Sequence, residues 1–243
     1  MERNSRIVLA LDSLPSNSNG LLYAGFKILR NVHPYICAVK LNRHLILPLG
    51  LDRAEKIVGE AHTLGLPVIM DCKINDVGYT NRVIAENYFK AGFDAVTANP
   101  FVGWEDGLKP VFEVAREMNR GVILLVYMSH KSSWEGYGQT VYDSEVGEKR
   151  PQYILFAEKA IRWHADGAVV GATYPEKIRE IHSVLKNDVP IYSPGIGAQG
   201  GSIKDAFNAG ARYAIIGRAI TLTKNPKEAA KRFRDAVKIL SLI

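Results

Sequence analysis

Leu66-Pro67-Val68-Ile69-Met70-Asp71-Cys72-Lys73-Ile74-Asn75-Asp76 passes from an unbroken apolar run into a cluster of charges. The apolar part, Pro67 to Met70, is short and reads as a strand buried on both faces. In an extended chain alternate side chains share a face, so Asp71 and Lys73 project together, Cys72 projects away and Asp76 falls in the following turn. An Asp–Lys pair after a strand is ordinarily a solvated surface pair. This pair instead closes a buried run, and two more apolar runs close in the same way, on Asp12 and on Lys40. Charges gathered at one end of several buried strands point to chemistry along one rim of a sheet.

Outward from this stretch, short β-branched runs recur along the chain: Ile7 to Leu11, Ile36 to Leu41, Pro67 to Met70, Ala95 to Ala98, Val122 to Val126, Ala168 to Val170, Pro190 to Tyr192 and Tyr213 to Ile216. Helical patterns separate them, over 20–31, 51–64, 79–91, 104–119, 151–164, 175–186 and 202–209, with 226–240 after the last. This alternation predicts βαβ units and a parallel sheet. Eight repeats in 243 residues have the rhythm of an α/β fold of the TIM type, a single (β/α)₈ barrel. A doubly wound sheet of similar content would stop near five or six strands. No linker or low-complexity tract breaks the rhythm, so residues 1–243 are expected to form one catalytic domain. The longest irregular piece is Ser129 to Arg150, in which Gly136, Gly138 and Gly147 are spread among Trp134, Tyr137 and Tyr142, a composition that suggests a lid.

Composition narrows the function classes. No apolar segment reaches the roughly 18 residues of a membrane span, and the N-terminus lacks a signal-peptide core, so a soluble, cytoplasmic protein is expected. Cys37 and Cys72 lack zinc-like spacing to other Cys or His and read as reduced packing residues. The net charge of +6 raises the prospect of a nucleic-acid partner, yet Lys and Arg are dispersed and no nucleic-acid-binding module is visible. The densest basic cluster, Lys224 to Lys238, alternates with Ala, Phe and Val at helical spacing, as the solvated face of a C-terminal helix does. A small anionic substrate accounts for the excess charge equally well.

In a barrel of this kind, active sites are built where the strands end. The strand ends carry Asp12, Lys40, Asp71 with Lys73, Ser129, Pro194, and Gly217 with Arg218, whereas the opposite ends carry Asp94, Asp166 and Asp188, which read as turn residues. After the seventh run, Ser193-Pro194-Gly195-Ile196-Gly197-Ala198-Gln199-Gly200-Gly201 is rich enough in glycine for its backbone N–H groups to converge on an anion. Arg218 supplies a cation at the next strand end, and barrels commonly bind phosphate between these two loops.

Asp71-x-Lys73-x-x-Asp76 followed by Thr80-Asn81, with Ala10-Leu11-Asp12, Val39-Lys40, Met128-Ser129-His130, Pro194 to Gly201 and Gly217-Arg218, resembles orotidine 5′-phosphate decarboxylase. The motifs span residues 10 to 218 in the family's order, each at a predicted strand end. The Asp-x-Lys-x-x-Asp signature is shared with sister sugar-phosphate decarboxylases and synthases, which hold Mg²⁺ with an acidic residue at the second strand end. Lys40 stands there in this chain, and a cation does not ligate Mg²⁺. Thr221 stands where some members have a tyrosine that reaches the phosphate.

The resemblance implies loss of CO₂ from orotidine 5′-phosphate to give uridine 5′-phosphate, the last step of pyrimidine nucleotide synthesis, without metal or organic cofactor. It implies that Lys40, Asp71, Lys73 and Asp76 form an alternating charged array, with Asp76 reaching into the site of a partner subunit in a homodimer. Lys73 would stabilise the C6 carbanion and protonate it. Asp12, Lys40 and Thr80 would address the ribose hydroxyls, Ser129 the pyrimidine, and Gln199, Gly217 and Arg218 the phosphate, with Pro194 also among the substrate-binding residues. No motif for pyridoxal, thiamine or flavin binding is visible. The alternatives are a Mg²⁺-dependent sugar-phosphate lyase on the same barrel and, from another class, a basic nucleic-acid-binding protein using the 224–238 helix.

Overall fold

The computed structural model describes residues 5–12, 14 and 20–240. Its elements begin β1 (Ile7–Ala10), α1 (Leu21–Val32), β2 (Ala38–Asn42), α2 (Arg43–Leu49), α3 (Leu51–Thr63), β3 (Val68–Ile74), α4 (Gly78–Lys90), β4 (Ala95–Ala98), α5 (Lys109–Glu117) and β5 (Gly121–Tyr127). A hairpin of β6 (Thr140–Asp143) and β7 (Glu148–Pro151) precedes α6 (Gln152–Arg162) and β8 (Gly167–Val170). The chain continues through α7 (Pro175–Leu185), β9 (Ile191–Pro194), α8 (Ile203–Asn208), β10 (Tyr213–Ile216), α9 (Arg218–Thr221) and α10 (Pro226–Leu240). Eight parallel strands close into a barrel in the order β1-β10-β9-β8-β5-β4-β3-β2, with helices between successive strands. The TIM-barrel expectation is met.

The strands are apolar because both of their faces are covered. Ile7, Val8 and Leu9 of β1 are fully buried, as are Val122, Leu124 and Val126 of β5. Amphipathic helices supply the outer cover, with Phe89 of α4 and Phe156 of α6 among the largest fully buried side chains. Burying each such side chain contributes about 1.5–3 kcal/mol. On α10, Ala229, Ala230 and Val237 are buried while Lys227, Lys231 and Arg232 are exposed, so the basic cluster is the solvated face of an outer helix.

Four local features differ from the sequence reading. Residues 129–150 are not irregular: a 3₁₀ turn at Lys131–Glu135 leads into the antiparallel β6–β7 hairpin. Arg150 and Arg162 fasten that hairpin to α6 through Glu158 and Glu145, and of the segment Ser129 and His130 line the central cavity. The helix expected from Trp104 starts only at Lys109, with Pro110 in its first turn; before it, Glu105 and Asp106 leave helical geometry. Asp94 and Asp166 are more than turn residues, because their carboxylates accept the Val68 and Val122 amides at 2.7 and 2.8 Å and so tie down the starts of neighbouring strands. Finally, β3 runs on through Asp71 to Ile74, since pairing with its neighbours continues past Met70.

Candidate active site

The continuation of β3 is not regular. Met70 pairs with Val96 and Ile74 with Ala98, so Asp71, Cys72 and Lys73 on β3 face Thr97 alone on β4. This bulge turns Lys73 into the left-handed region, φ 51°, which is disfavoured for an L-residue with a side chain. Plain strand alternation therefore fails at Lys73. The expected juxtaposition survives by another route, because bulges re-aim side chains: Lys73 Nζ lies 2.6 Å from Asp71 Oδ1, while Cys72 is buried on the other side. Burial, reinforced by the Asp71 charge, pushes the Cys72 thiol up to about 12, which keeps it an inert packing group.

Asp71 is the hub. Its Oδ1 accepts Lys73 Nζ at 2.6 Å and Thr97 Oγ1 at 3.1 Å, and its Oδ2 accepts Lys40 Nζ at 2.8 Å and Asn42 Nδ2 at 3.1 Å. Four donors match the roughly four lone-pair sites of a carboxylate. Burial pushes the Asp71 carboxyl upward, but Lys40 and then Lys73 outweigh it and hold the group well below the usual carboxylate range. Burial likewise works against the Lys40 ammonium, and Asp71 and Asp12 overcome it, leaving Lys40 raised. Lys40 Nζ also lies 2.8 Å from Asp12 Oδ2, so charges alternate Asp12, Lys40, Asp71, Lys73 along the rim. Among the described residues Asp12 Oδ1 is buried with no hydrogen-bond partner, and Asp12 lines the same space.

This array opens into a cavity of about 590 Å³ at the C-terminal ends of the strands. Ile69, Ile123, Leu125, Val169, Tyr192 and Ile215 give it an apolar floor. Of the residues singled out from sequence, Asp12, Lys40, Asp71, Lys73, Ser129, Pro194, Gln199, Gly217 and Arg218 line it. Asp76 and Thr80 do not: Asp76 is exposed beside α4 and Thr80 is half-buried on its first turn. The turn that carries Asp76 is fixed by the fully buried Asn81, which accepts the Asp76 amide at 2.9 Å and donates to the Gly107 carbonyl at 2.9 Å.

Ser129 is held from β8. A Cβ on Gly171 would lie 2.6 Å from Ser129 Cα, so the close approach of the two strand ends requires glycine there, and Thr173 Oγ1 donates to the Ser129 carbonyl at 3.0 Å. The glycine-rich loop departs from expectation. Its Gly197, Ala198, Gly200 and Gly201 amides donate to carbonyls inside the loop, so they fold the loop rather than converge on an anion. Gln199 and Arg218, both exposed, also line the cavity. Thr221, the last residue of α9, is buried, its hydroxyl has no partner among the described residues, and it does not line the cavity.

Three cavity residues escaped the sequence reading. Asn42 bonds Asp71 and also caps α2 by accepting the His44 amide at 3.4 Å; the signal was its place two residues after Lys40, on the same strand face. His44 Nε2 lies 3.0 Å from the Asp12 carbonyl oxygen. Thr97 was the lone hydroxyl in the apolar run of β4.

The pattern that defines the Orotidine 5'-phosphate decarboxylase / HUMPS family matches residues 5–233. Orotidine 5'-phosphate decarboxylase of Methanosarcina mazei is 36% identical over 237 residues, covering 98% of this chain and 97% of that protein. The protein of the same description from Pyrococcus horikoshii is 37% identical over 235 residues, covering 96% and 99%. The crystal structure of the Pyrococcus horikoshii OT3 enzyme superposes with a TM-score of 0.78 at 37% identity, covering 96% of this chain and 99% of that one. The structure of the Methanocaldococcus jannaschii enzyme complexed with inhibitor BMP gives a TM-score of 0.80 at 32% identity, covering 95% and 97%. Barrel, rim chemistry and relatives of matching length agree, and the chain belongs to the orotidine 5'-phosphate decarboxylase / HUMPS family.

Proposed function

We infer that the charged array at the rim is the machinery of this family's reaction. The chain decarboxylates orotidine 5′-phosphate to uridine 5′-phosphate, and residues 1–243 act as one catalytic domain. The observation that carries the reading is the Lys73 ammonium, held 2.6 Å from a buried and fully hydrogen-bonded carboxylate at the mouth of a nucleotide-sized cavity. Loss of CO₂ from a pyrimidine ring carbon leaves an electron pair in the ring plane, where the π system cannot delocalise it. A fixed cation beside that carbon stabilises the developing charge and then delivers its proton. Lys73 has both capacities. Lys40 keeps Asp71 ionised, and Asp71 holds Lys73 in place.

The remaining cavity groups take the roles that the family resemblance implies. Asp12 and Lys40 address the ribose hydroxyls, Ser129 the pyrimidine, and Gln199, Gly217 and Arg218 the phosphate, with Pro194 beside them in the cavity lining. Phosphate binding is remote from the reacting carbon, so its energy can serve loop closure over residues 195–201 and raise kcat as well as lower KM. The Mg²⁺-dependent alternative is disfavoured by chemistry at the second strand end, where the Lys40 ammonium sits between two carboxylates 2.8 Å away.

A homodimer belongs to the same proposal. Leu47, Tyr79, Phe101 and Trp134 are large exposed side chains that follow β2, β3, β4 and β5, four neighbours in the barrel, and so fall on one side of the molecule. A second copy docked there covers them and brings the partner's Asp76 and Thr80 to the cavity. A cytoplasmic location is also proposed, since charged nucleotides do not cross bilayers unaided; cell fractionation tests it.

The deciding measurement is the loss of orotidine 5′-phosphate absorbance on adding protein. Lys73→Ala is expected to fold and to lose on the order of 10⁴ or more in kcat, since one group serves as both acid and charge stabiliser. Near-normal turnover by that variant overturns the assignment.

A further inference from the structure

We propose that Thr97, the single β4 residue facing the three-residue bulge of β3, is the positioning residue that sets the Lys73 ammonium against Asp71. The proposal deepens the catalytic reading above and rests on it. Because three residues oppose one, the Lys73 amide has no ladder carbonyl to meet. It donates instead to Thr97 Oγ1 at 2.9 Å, and the same hydroxyl donates its proton to Asp71 Oδ1 at 3.1 Å. One oxygen thus grips the backbone of Lys73 and the carboxylate that Lys73 Nζ contacts.

Thr97 is 2% exposed, so water does not replace the hydroxyl on either side. Lys73 is held at φ 51°, a conformation that persists only where surrounding contacts impose it. The other Asp71 oxygen is fixed from the opposite strand by Asn42. Packing alone does not require the hydroxyl, because valine has nearly the same shape and branching as threonine. What valine lacks is the acceptor for the Lys73 amide and the donor to Asp71. Loss of both lets the bulge relax and moves the Lys73 ammonium relative to the reacting carbon, while the ribose and phosphate contacts stay as they are.

The test compares Thr97→Val and Thr97→Ser in the full chain, with kcat and KM for orotidine 5′-phosphate and the Kd for uridine 5′-phosphate. In Thr97→Val, kcat falls about 10²-fold, the cost of misplacing a catalytic group by about 1 Å, while KM and product affinity stay near wild type. Thr97→Ser, which keeps the hydroxyl, recovers most of kcat. Wild-type kcat in Thr97→Val, or equal losses in the valine and serine variants, overturns the proposal. Should the valine variant fail to fold, Thr97→Ala, which likewise lacks both donor and acceptor, serves in its place: a fall in kcat that Thr97→Ser does not share supports the proposal and an unchanged kcat overturns it. Lys73→Ala in the same assay separates the two levels of inference. Its normal turnover overturns the catalytic reading itself, whereas an inactive Lys73→Ala beside a fully active Thr97→Val overturns only the role of Thr97.

Discussion

Asp71 is ionised where burial alone would neutralise it, and the ions that prevent this make its effect on stability depend on pH in a definite direction. Its folded value lies below the unfolded value of about 3.9, so its contribution is fully present above that value and is lost as pH falls toward the folded one. Lys40 is the mirror case. Its folded value is raised above the unfolded value of about 10.4, so its contribution is present below that pH and is lost as pH rises through the folded value. Denaturant unfolding should therefore show Asp71→Asn less stable than wild type by a constant margin from about pH 5 to 9, narrowing below about pH 4. A margin that widens in acid contradicts the assignment. Lys40→Ala should cost about 3 kcal/mol at neutral pH, because it leaves two carboxylates facing each other over a vacated position. Thermal or denaturant melts check it, and a loss near zero shows that the Asp12 and Asp71 carboxylates are hydrated without Lys40.

Elements place these residues, and their legibility in the sequence differed with the physics behind each. A barrel strand must be apolar on both faces, so charges closing such runs at Asp12, Lys40 and Asp71 stand out against their neighbours. The bulge of β3 left no comparable mark, because it exists only in the pairing of residues 70–74 with 96–98. Asn42 and Thr97 were hidden for the same reason: a polar residue within a strand becomes meaningful only when the facing strand is known. The hairpin was missed because β7, Glu148-Lys149-Arg150-Pro151, is charged where a strand is ordinarily apolar, and is stabilised by ion pairs to α6. Two predictions belong at this scale. Arg150→Ala should loosen the hairpin, seen as faster amide exchange over residues 140–151, with kcat unchanged; a large fall in kcat would instead support a lid role for the segment. Gly171→Ala should destabilise by about 1–3 kcal/mol, as overpacking does, and raise KM by displacing Ser129. Wild-type melting and KM in that variant would mean that the β5 and β8 ends separate freely.

At the scale of the whole molecule, the cavity and the Asp-x-Lys-x-x-Asp signature do not coincide: Asp71 and Lys73 face the cavity while Asp76 and Thr80 stand outside it. The exposed Leu47, Tyr79, Phe101 and Trp134 follow the neighbouring strands β2 to β5, the side of the barrel that carries the displaced pair and on which the homodimer proposed above would dock. Shared sites make a prediction that self-contained sites do not. Lys73→Ala and Asp76→Ala are each expected to be nearly inactive as homodimers. In a hybrid of the two, one site lacks Lys73 and also receives no partner carboxylate, while the other keeps its own Lys73 and receives Asp76 from the Lys73→Ala subunit. With random pairing, half of the dimers are hybrids, each with one intact site, so activity should return to about a quarter of wild type. The measurement is turnover of orotidine 5′-phosphate after the two inactive variants are unfolded together and refolded, with sedimentation establishing the dimer. If Asp76 instead serves its own subunit, every site in the mixture lacks either Lys73 or Asp76, and mixing restores nothing.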